Sequence, residues 1–376
     1  MIRRFDRRTK LDLCASIRDS GPMSEAPPSE SFDPLLKQVS RSFYLTLRVL
    51  PVPVRAQIGL TYLLARTADT IADTDLLPAP DRLAALQAYR ERLLGQNQTP
   101  LDFRGLIGQQ SSPAEAQLLE NAENNLALLQ KFPLADQRLM REVLGTITGG
   151  QVLDLMRFGG AQTGASTAPT ARIIALETGP ELDDYTYRVA GCVGEFWTKI
   201  CRARVFPAAR LDDRQLIADG IRFGKGLQLV NILRDLPVDL KNGRCYLPLQ
   251  RLEEAGLFPG VLLSPIKENQ FRVVYHEYLD KAQAHLAAGW RYTNTLPYGQ
   301  FRVRLACAWP VLIGLRTIKK LRAASVTQLQ QRIKVSRGEV WRIILLSLLA
   351  SPFPLVWRKL SAASAVKAVA SREHLA

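Results

Sequence analysis

Cysteine and histidine are scarce in this chain of 376 residues. It has five cysteines and three histidines, and no two cysteines are spaced as in a CxxC motif. This scarcity argues against a zinc site and a disulfide framework, and it fits a protein of the reducing cytoplasm. Long apolar runs are also lacking: the charge-free stretch 343–357 contains two prolines and is shorter than the about 20 residues that span a membrane. Residues 1–20 contain no apolar core of a secretory signal.

Acidic residues are in deficit, and the deficit is concentrated near the C-terminus. The chain carries 50 Lys and Arg against 35 Asp and Glu. Residues 316–376 hold 12 basic and 2 acidic side chains, a net charge of +10. Such a segment favours an anionic neighbour, either a phosphorylated cofactor or an anionic membrane surface. Nucleic acid is the least favoured partner, because the basic residues are not interleaved with aromatic side chains on which bases could stack.

Two stretches far apart in the chain share one arrangement, a pair of aspartates four residues apart with an arginine just upstream. The first pair is Asp69 and Asp73, and the second is Asp235 and Asp239. Residues i and i+4 of a helix lie on one face, so each pair directs two carboxylates into the same space. Carboxylate oxygens suit Mg²⁺, which commonly binds one or two carboxylates together with substrate phosphates. Together the two pairs predict a magnesium-dependent diphosphate site.

The motifs around these pairs resemble those of the squalene/phytoene synthase family, the head-to-head prenyl transferases. The matching stretches occur in the family's order: Ser40 to Phe43, Tyr62 to Asp73, Tyr185 to Gly194, and Gln228 to Asp239. The resemblance implies an all-α protein, a single large helical domain of the isoprenoid synthase type with a central apolar cavity between helices. It also implies a reaction that joins two prenyl diphosphates at their C1 ends through a cyclopropyl intermediate.

Helical spacing of apolar residues runs almost throughout the chain from Pro34 onward, and no alternating strand pattern occurs. The pattern predicts a helix over 113–131 begun by Ser112, a helix over 134–157 interrupted at Gly149-Gly150, and a helix over 211–236 ended by Pro237. Two glycines inside a helix cost roughly 1 kcal/mol each against alanine, so we expect a close helix approach or a ligand to need their small size.

The resemblance assigns roles to individual side chains. All four aspartates of the pairs, which are also counted as catalytic, are expected to hold Mg²⁺. Tyr185 matches the family's catalytic tyrosine, whose phenol helps to remove a proton as the cyclopropane closes or orients a diphosphate oxygen that does so. The expected substrate contacts are Ser40, Arg41, Tyr62, Arg66, Gln228 and Asn231. Two cofactors are expected: Mg²⁺, bound together with the substrate diphosphate, and NADPH. The residues expected to contact them are Arg41, Arg66, Asn231, Arg234, Lys334 and Arg337.

Each of these assignments has an ordinary structural alternative. The arginines are suited to grip phosphate oxygens with two parallel bonds, but each could equally form a surface salt bridge. Tyr185 could be a buried tyrosine with a simple hydrogen bond. The chain also departs from the family's patterns at Ala72, where many relatives have an acid, and at Arg188, which adds a cation to the helix of Tyr185.

The C-terminal part resembles one branch of the family, the squalene synthases. The matching stretches are Cys307 to Pro310, Leu315 to Ile318 and Ile333 to Gly338. In that branch a basic segment ending in glycine helps to hold NADPH. Lys334 matches a position of that segment and Arg337 matches a basic neighbour, while Ser336 stands where many relatives have arginine. The resemblance therefore implies synthesis of squalene from two farnesyl diphosphates with Mg²⁺ and NADPH. The alternatives are a synthase of presqualene diphosphate, phytoene or dehydrosqualene, and a non-catalytic helical protein that binds membranes.

The sequence also suggests an organisation along the chain. We expect a loose leader over 1–33, a catalytic domain over 34–325 and a basic C-terminal segment over 326–376. The charge-free stretch 343–357, flanked by Arg342 and by Arg358-Lys359, predicts an interfacial patch rather than a membrane span. The expected protein is a cytoplasmic monomer that associates peripherally with a membrane and binds no nucleic acid.

Overall fold

The computed structural model describes residues 33–40, 43–74, 76–110, 112–159 and 173–364. Arg41 and almost all of the predicted leader therefore lie outside the described residues. The helices of the described part are α1 (Asp33–Ser40), α2 (Phe43–Val49), α3 (Val52–Ala72), α4 (Ala79–Leu94), α5 (Arg104–Ile107), α6 (Pro113–Glu120), α7 (Ala122–Leu129), α8 (Leu134–Phe158), α9 (Gly179–Thr186), α10 (Cys192–Arg204), α11 (Asp213–Lys241), α12 (Leu249–Glu254), α13 (Glu268–Thr295), α14 (Phe301–Ala323), α15 (Val326–Leu329), α16 (Arg337–Ala350) and α17 (Pro354–Ser364).

Very little strand accompanies these helices. In the described ranges, β1 (Ile174–Ala175) and β2 (Arg244–Cys245) form one short parallel sheet, with Ile174 opposite Arg244. A π-helical turn, Tyr187–Gly191, joins α9 to α10. The predicted all-α fold is confirmed. Apolar side chains of the long helices α3, α8, α11, α13 and α14 supply most of the buried core around a central cavity.

The helix of the second acidic pair does not end at Pro237, as the sequence had predicted. Helix α11 continues to Lys241 with Pro237 in its interior. Proline has no N–H, so the carbonyl of Leu233, four residues earlier, loses its helical partner. The hydroxyl of Tyr275, on α13, donates to that carbonyl oxygen at 2.8 Å. This repair from a neighbouring helix lets α11 carry both Asp235 and Asp239 on a continuous helix.

The predicted interruption of α8 at Gly149-Gly150 is also wrong, because α8 is a single helix of 25 residues. The expected close approach is confirmed for one of the two glycines. A Cβ on Gly150 would lie 2.9 Å from the Cβ of Arg188, so the π-helical turn packs directly on α8 there. A Cβ on Gly149 would meet only ordinary contacts. Arg188 itself pairs with Asp184 at 2.7 Å.

The predicted helix over 113–131 is divided into α6 and α7. Asn121 ends one helix and begins the other, and its side-chain Nδ2 donates to the carbonyl of Gln117 at 2.8 Å. Such a local bond competes with the backbone ladder of a helix. Ser112 occupies the N-cap position, but its side chain makes no capping hydrogen bond. The division turns the N-terminal end of α6, with Glu115, toward α3.

Helices α10 and α11 approach each other so closely that backbone meets backbone. A Cβ on Gly194 would lie 1.9 Å from the carbonyl oxygen of Gly220, and a Cβ on Gly224 would lie 2.0 Å from that of Ala190. All four residues line the central cavity. Glycine is therefore required at this crossing, and part of the cavity wall consists of main chain.

Candidate active site

A cavity of about 620 Å³ lies between α3, α8, α10, α11 and α14. Polar residues from three of these helices line the cavity. The rest of its lining is mostly apolar and suits a hydrocarbon chain. The polar side chains in the lining are Thr46, Tyr62, Asp69, Asp73, Arg82, Gln151, Asp154, Tyr185, Gln228, Asn231, Arg244 and Tyr246. The bulkier apolar and aromatic side chains in it include Ile147, Leu155, Phe158, Trp197, Phe223, Leu227 and Tyr292.

The first acidic pair lies at the C-terminal end of α3. The amide Nε2 of Gln151, from α8, donates to a carboxylate oxygen of Asp69. Arg66 lies 3.6 Å from the other oxygen of Asp69, but it binds Glu115 more closely, at 2.6 Å. Desolvation by the surrounding helices and repulsion from Asp73 raise the pKa of Asp69 to about 6. Negative charge at this pair is thus only partly neutralised by the protein.

Arginines surround the second acidic pair on α11. Arg234 holds Asp235 with two hydrogen bonds, of 3.0 Å from Nε and 2.5 Å from Nη2. The Nε of Arg332, from the segment between α15 and α16, lies 3.4 Å from the same carboxylate. Desolvation and the charges of Asp235 and Asp154 raise the pKa of Asp239 to about 7, although Arg244 opposes the shift. The C-terminal segment therefore reaches the second acidic pair directly.

Three further residues belong to this site, and the sequence did not reveal them. Tyr246 donates its hydroxyl to the carboxylate of Asp154, with 3.2 and 3.1 Å to the two oxygens. Desolvation raises the pKa of Asp154 to about 6, against the opposing effects of Arg244 and of this hydrogen bond. Arg244 is close enough to interact with Asp154, Asp239 and Asp73, and its buried Nε has no hydrogen-bond partner among the described residues. The carboxylates of Asp73, Asp154 and Asp239 thus all lie near the guanidinium of Arg244.

Weak sequence signals for these residues can be identified afterwards. Asp154 follows Gln151 by three residues on α8, so both polar groups share one face of an otherwise apolar stretch. Arg244 and Tyr246 follow directly after the helix of the second acidic pair, on either side of Cys245 in and after strand β2. Strand pairing with β1 fixes their position, and no local sequence pattern predicts such a long-range contact.

Tyr185 lies in the site as predicted, with its ring stacked on that of Tyr246 at a centroid distance of 4.6 Å. Burial, together with the nearby charge of Asp154, raises the pKa of Tyr185 above its ordinary value. The phenol therefore keeps its proton at neutral pH, and a phenolate base is disfavoured. Of the two roles expected for Tyr185, this environment suits the orientation of a substrate oxygen by a donated hydrogen bond.

The other predicted site residues have different positions. Tyr62, Gln228 and Asn231 line the cavity, and Asn231 lies within 3.4 Å of the Gln228 side chain. Ser40 is buried and donates its hydroxyl back to the carbonyl of Leu36, outside the described cavity lining. Lys334 and Arg337 are exposed, on the same segment that brings Arg332 to Asp235.

The acidic residues fit a magnesium–diphosphate complex better than a metal bound by protein alone. Among the described residues, no three acidic, histidine or cysteine side chains converge on a single point. Repulsion between carboxylates nevertheless contributes to the raised pKa values of Asp69, Asp154 and Asp239, so their ionised forms need added cations. Mg²⁺ usually keeps several ligands from water or substrate phosphate. Diphosphate oxygens would therefore complete the coordination.

The helical bundle, its apolar cavity and the acidic helices that face it define an isoprenoid-synthase-type protein. The chain belongs to the squalene/phytoene synthase family, whose sequence profile matches residues 36–339. This match covers both acidic pairs, Tyr185 and the segment with Lys334 and Arg337.

Individual relatives carry different names within this family. A bifunctional lycopene cyclase/phytoene synthase of Phaeosphaeria nodorum is 31% identical over 61% of this chain and 36% of its own length. A presqualene diphosphate synthase of Rhodopseudomonas palustris is 29% identical over 68% of this chain and 75% of its own length. The solved structure of TcSQS with a ligand is similar with a TM-score of 0.69, covering 92% of this chain and 93% of that chain. At 21% identity, that likeness shows the fold.

The relatives differ from this chain in length as well as in name. The chain spans only 36% to 40% of the length of the fungal bifunctional enzymes that it matches. The comparisons thus establish the family, and this chain's reaction and product have to be argued from its own residues.

Proposed function

We propose that the chain is a squalene synthase, which condenses two farnesyl diphosphates to presqualene diphosphate and reduces this intermediate to squalene with NADPH. The observation that supports the reductive step is the contact between Arg332 and Asp235, 3.4 Å long. It brings the segment that carries Lys334 and Arg337 against the second acidic pair, where a cofactor's phosphates would lie near the substrate. In this proposal the protein acts as a cytoplasmic monomer.

The chain's own residues divide the first half-reaction among them. Mg²⁺, when bound by the two acidic pairs, would neutralise the diphosphate that leaves as an allylic cation forms. Arg66 and Arg234 already lie beside Asp69 and Asp235, where they can turn toward phosphate oxygens. Tyr185 donates its proton in a hydrogen bond and so orients a diphosphate oxygen that can accept the proton lost on ring closure. The apolar lining excludes water from the cation.

Product analysis tests this proposal. Purified protein is incubated with Mg²⁺ and either farnesyl or geranylgeranyl diphosphate, with and without NADPH, and the products are identified by mass. From farnesyl diphosphate we expect presqualene diphosphate without NADPH and squalene with it, because the reduction of presqualene diphosphate to squalene consumes a hydride. A C30 or C40 hydrocarbon that forms equally with and without NADPH would contradict the proposal and favour a carotenoid-type synthase.

The double variant Lys334→Ala with Arg337→Ala tests the cofactor segment alone. It should accumulate presqualene diphosphate even with NADPH. A lost phosphate contact costs about 1.5–3 kcal/mol, or about ten- to a hundredfold in affinity for NADPH, so excess NADPH should partly restore squalene formation. Lys131→Ala with Arg138→Ala, two exposed cations near the start of α8, is the matched control. An unchanged squalene yield in the first variant would remove Lys334 and Arg337 from the cofactor site.

A synthase that stops at presqualene diphosphate is the second candidate. The similarity to the Rhodopseudomonas palustris presqualene diphosphate synthase, at 29% identity, favours it. In that case the same incubation yields presqualene diphosphate whether or not NADPH is present. The segment with Lys334 and Arg337 would then serve diphosphate binding only, and its double variant would slow the first half-reaction.

A further inference from the structure

The C-terminal hairpin, formed by α16 and α17, has its apolar side chains on the outside. On α16 the buried positions are Ile344, Ser347 and Ala350, two of which are small. Eight large apolar side chains of α16, α17 and the residues between them are between 45% and 75% exposed: Trp341, Leu345, Leu346, Leu348, Leu349, Phe353, Leu355 and Val356. A helix on the surface of a soluble protein normally has the opposite arrangement. A continuous patch of this kind marks an interaction surface.

The hairpin is firmly attached to the body of the protein. Trp357 is 1% exposed, stacks on Trp290 at 5.6 Å and donates its Nε1–H to Asn294 at 3.0 Å. Trp309, on α14, donates to Ser347 at 2.9 Å. The apolar face is therefore presented outward in a fixed position, and it is not a core surface that a loose segment has left open.

Positive charge surrounds the apolar face. Arg337, Arg342, Arg358 and Lys359 are all exposed. The only acid between residues 337 and 361 is Glu339, and Arg316 and Lys320 already bind it at 2.9 and 2.6 Å. A second copy of the chain would bring the same cations against each other. An apolar face with a cationic margin is complementary to an anionic lipid surface, where side chains enter the acyl region and cations meet phosphate.

We propose that the outer face of the C-terminal hairpin docks this protein on an anionic lipid bilayer, with Trp341, Leu345, Leu349 and Phe353 inserted at the interface. No helix of the described residues is both long and apolar enough to cross a membrane, so docking is interfacial. Helix α14 holds the hairpin through Trp309 and also lines the cavity with Ala306, Cys307 and Pro310. One helix, about 10 Å across, thus separates the bilayer from the cavity.

Vesicle flotation with the full-length protein tests the docking surface independently of catalysis. Phosphatidylcholine vesicles with about 30% phosphatidylglycerol should bind the protein, and pure phosphatidylcholine vesicles should bind it more weakly. The triple variant Leu345→Gln, Leu349→Gln and Phe353→Gln should bind at least about tenfold more weakly, because three apolar side chains no longer move from water into lipid. The matched control is Leu76→Gln, Leu134→Gln and Ile266→Gln, which changes three apolar residues elsewhere that are even more exposed, and it should bind as the wild type does.

Tryptophan fluorescence locates the contact. Of the five tryptophans, Trp341 is 61% exposed, Trp290, Trp309 and Trp357 are buried, and Trp197 is half-buried in the cavity lining. A blue shift on adding anionic vesicles should therefore come from Trp341. Trp341→Phe should lose the shift and keep most of the binding. Absence of wild-type binding to both kinds of vesicle overturns the proposal. A wild-type dimer that the triple variant converts to monomer overturns it too, and makes a second copy the occupant of the face.

Discussion

The two acidic pairs have the same spacing and an upstream arginine each, yet their surroundings differ. At the first pair, Asp69 receives a hydrogen bond from the neutral amide of Gln151, and its arginine, Arg66, is drawn toward Glu115. At the second pair, Asp235 is held by Arg234 and approached by Arg332. Asp235 therefore has two arginine contacts, one of them at 2.5 Å, whereas the one arginine contact given for Asp69 is 3.6 Å long.

This difference gives the two pairs different tasks in the same site. Mg²⁺ must compete with the protein's own cations for a carboxylate, and Arg66 lies farther from Asp69, at 3.6 Å, than Arg234 does from Asp235, at 2.5 Å, so we expect the first pair to take up Mg²⁺ first. The arginines of the second pair must release Asp235 before it can bind metal, and they are then free to bind phosphate oxygens. The second pair should therefore engage together with the substrate.

Removal of one carboxylate from each pair should have the largest effect. Asp69→Asn and Asp235→Asn should each lower turnover by about a hundredfold or more, if each loss removes about 3 kcal/mol of charge stabilisation in the transition state. Calorimetry without substrate should separate them, since Asp69→Asn loses Mg²⁺ binding and Asp235→Asn retains it. Circular dichroism provides the control for folding, which both nearly isosteric changes should preserve. Near wild-type turnover of Asp69→Asn at limiting Mg²⁺ would refute the metal assignment.

The raised pKa values predict a strong pH dependence of metal binding. Mg²⁺ binds the ionised carboxylates, and the pKa values of Asp69 and Asp239 are about 6 and about 7. The Mg²⁺ affinity should thus rise roughly tenfold per pH unit for each proton that must leave, and level off above pH of about 7.5. Titration calorimetry from pH 5.5 to 8 measures this dependence. An affinity that stays flat across that interval would contradict the prediction.

The same carboxyls should weaken the metal-free fold as pH rises. Their folded-state pKa values lie above the ordinary value of 3.8, so folding favours the protonated forms. Their contribution to stability is present at low pH and is lost as pH rises from about 4 to about 7. Urea unfolding with and without Mg²⁺ and inorganic diphosphate, at several pH values, should show that the ligands offset this loss.

Tyr246→Phe tests the residues that the sequence did not reveal. It removes the hydrogen bond to Asp154 and should lower turnover about tenfold, in line with the roughly 1.5–3 kcal/mol of a hydrogen bond to a charged group. Tyr89→Phe is the matched control, because Tyr89 is fully buried, donates to the carbonyl of Leu64 and does not line the described cavity. The control should lose stability and keep its turnover. Equal turnover in the two variants would remove Asp154 and Tyr246 from the catalytic machinery.

The smallest effect is expected at Arg332. Arg332→Gln removes a cation that competes with Mg²⁺ for Asp235, so the Mg²⁺ affinity measured with inorganic diphosphate should increase two- to fivefold, or about 0.5–1 kcal/mol for a half-exposed pair. The control is Arg251→Gln, which breaks an ion pair of 2.6 Å with Glu277. A lower affinity in Arg332→Gln would mean that Arg332 binds the diphosphate instead.

The acidic pairs could be predicted from the sequence because their geometry is local. Helical spacing alone places Asp69 beside Asp73 and Asp235 beside Asp239. Arg244 and Asp154 could not be predicted, because only the packing of α8 against strand β2 and α11 brings them to these pairs. The continuation of α11 past Pro237 was missed for the same reason, since its missing hydrogen bond is replaced by Tyr275, nearly forty residues further along the chain.

The backbone crossing of α10 and α11 has a consequence for how this protein can diverge. Because Gly194 and Gly224 face carbonyl oxygens at distances that exclude any side chain, that wall cannot be reshaped one substitution at a time. A lineage that shifts to longer or shorter prenyl chains must change the walls that carry side chains, such as those with Trp197, Phe223 and Tyr292. Proteins that have diverged in substrate length should therefore differ at these aromatic positions and retain the glycines.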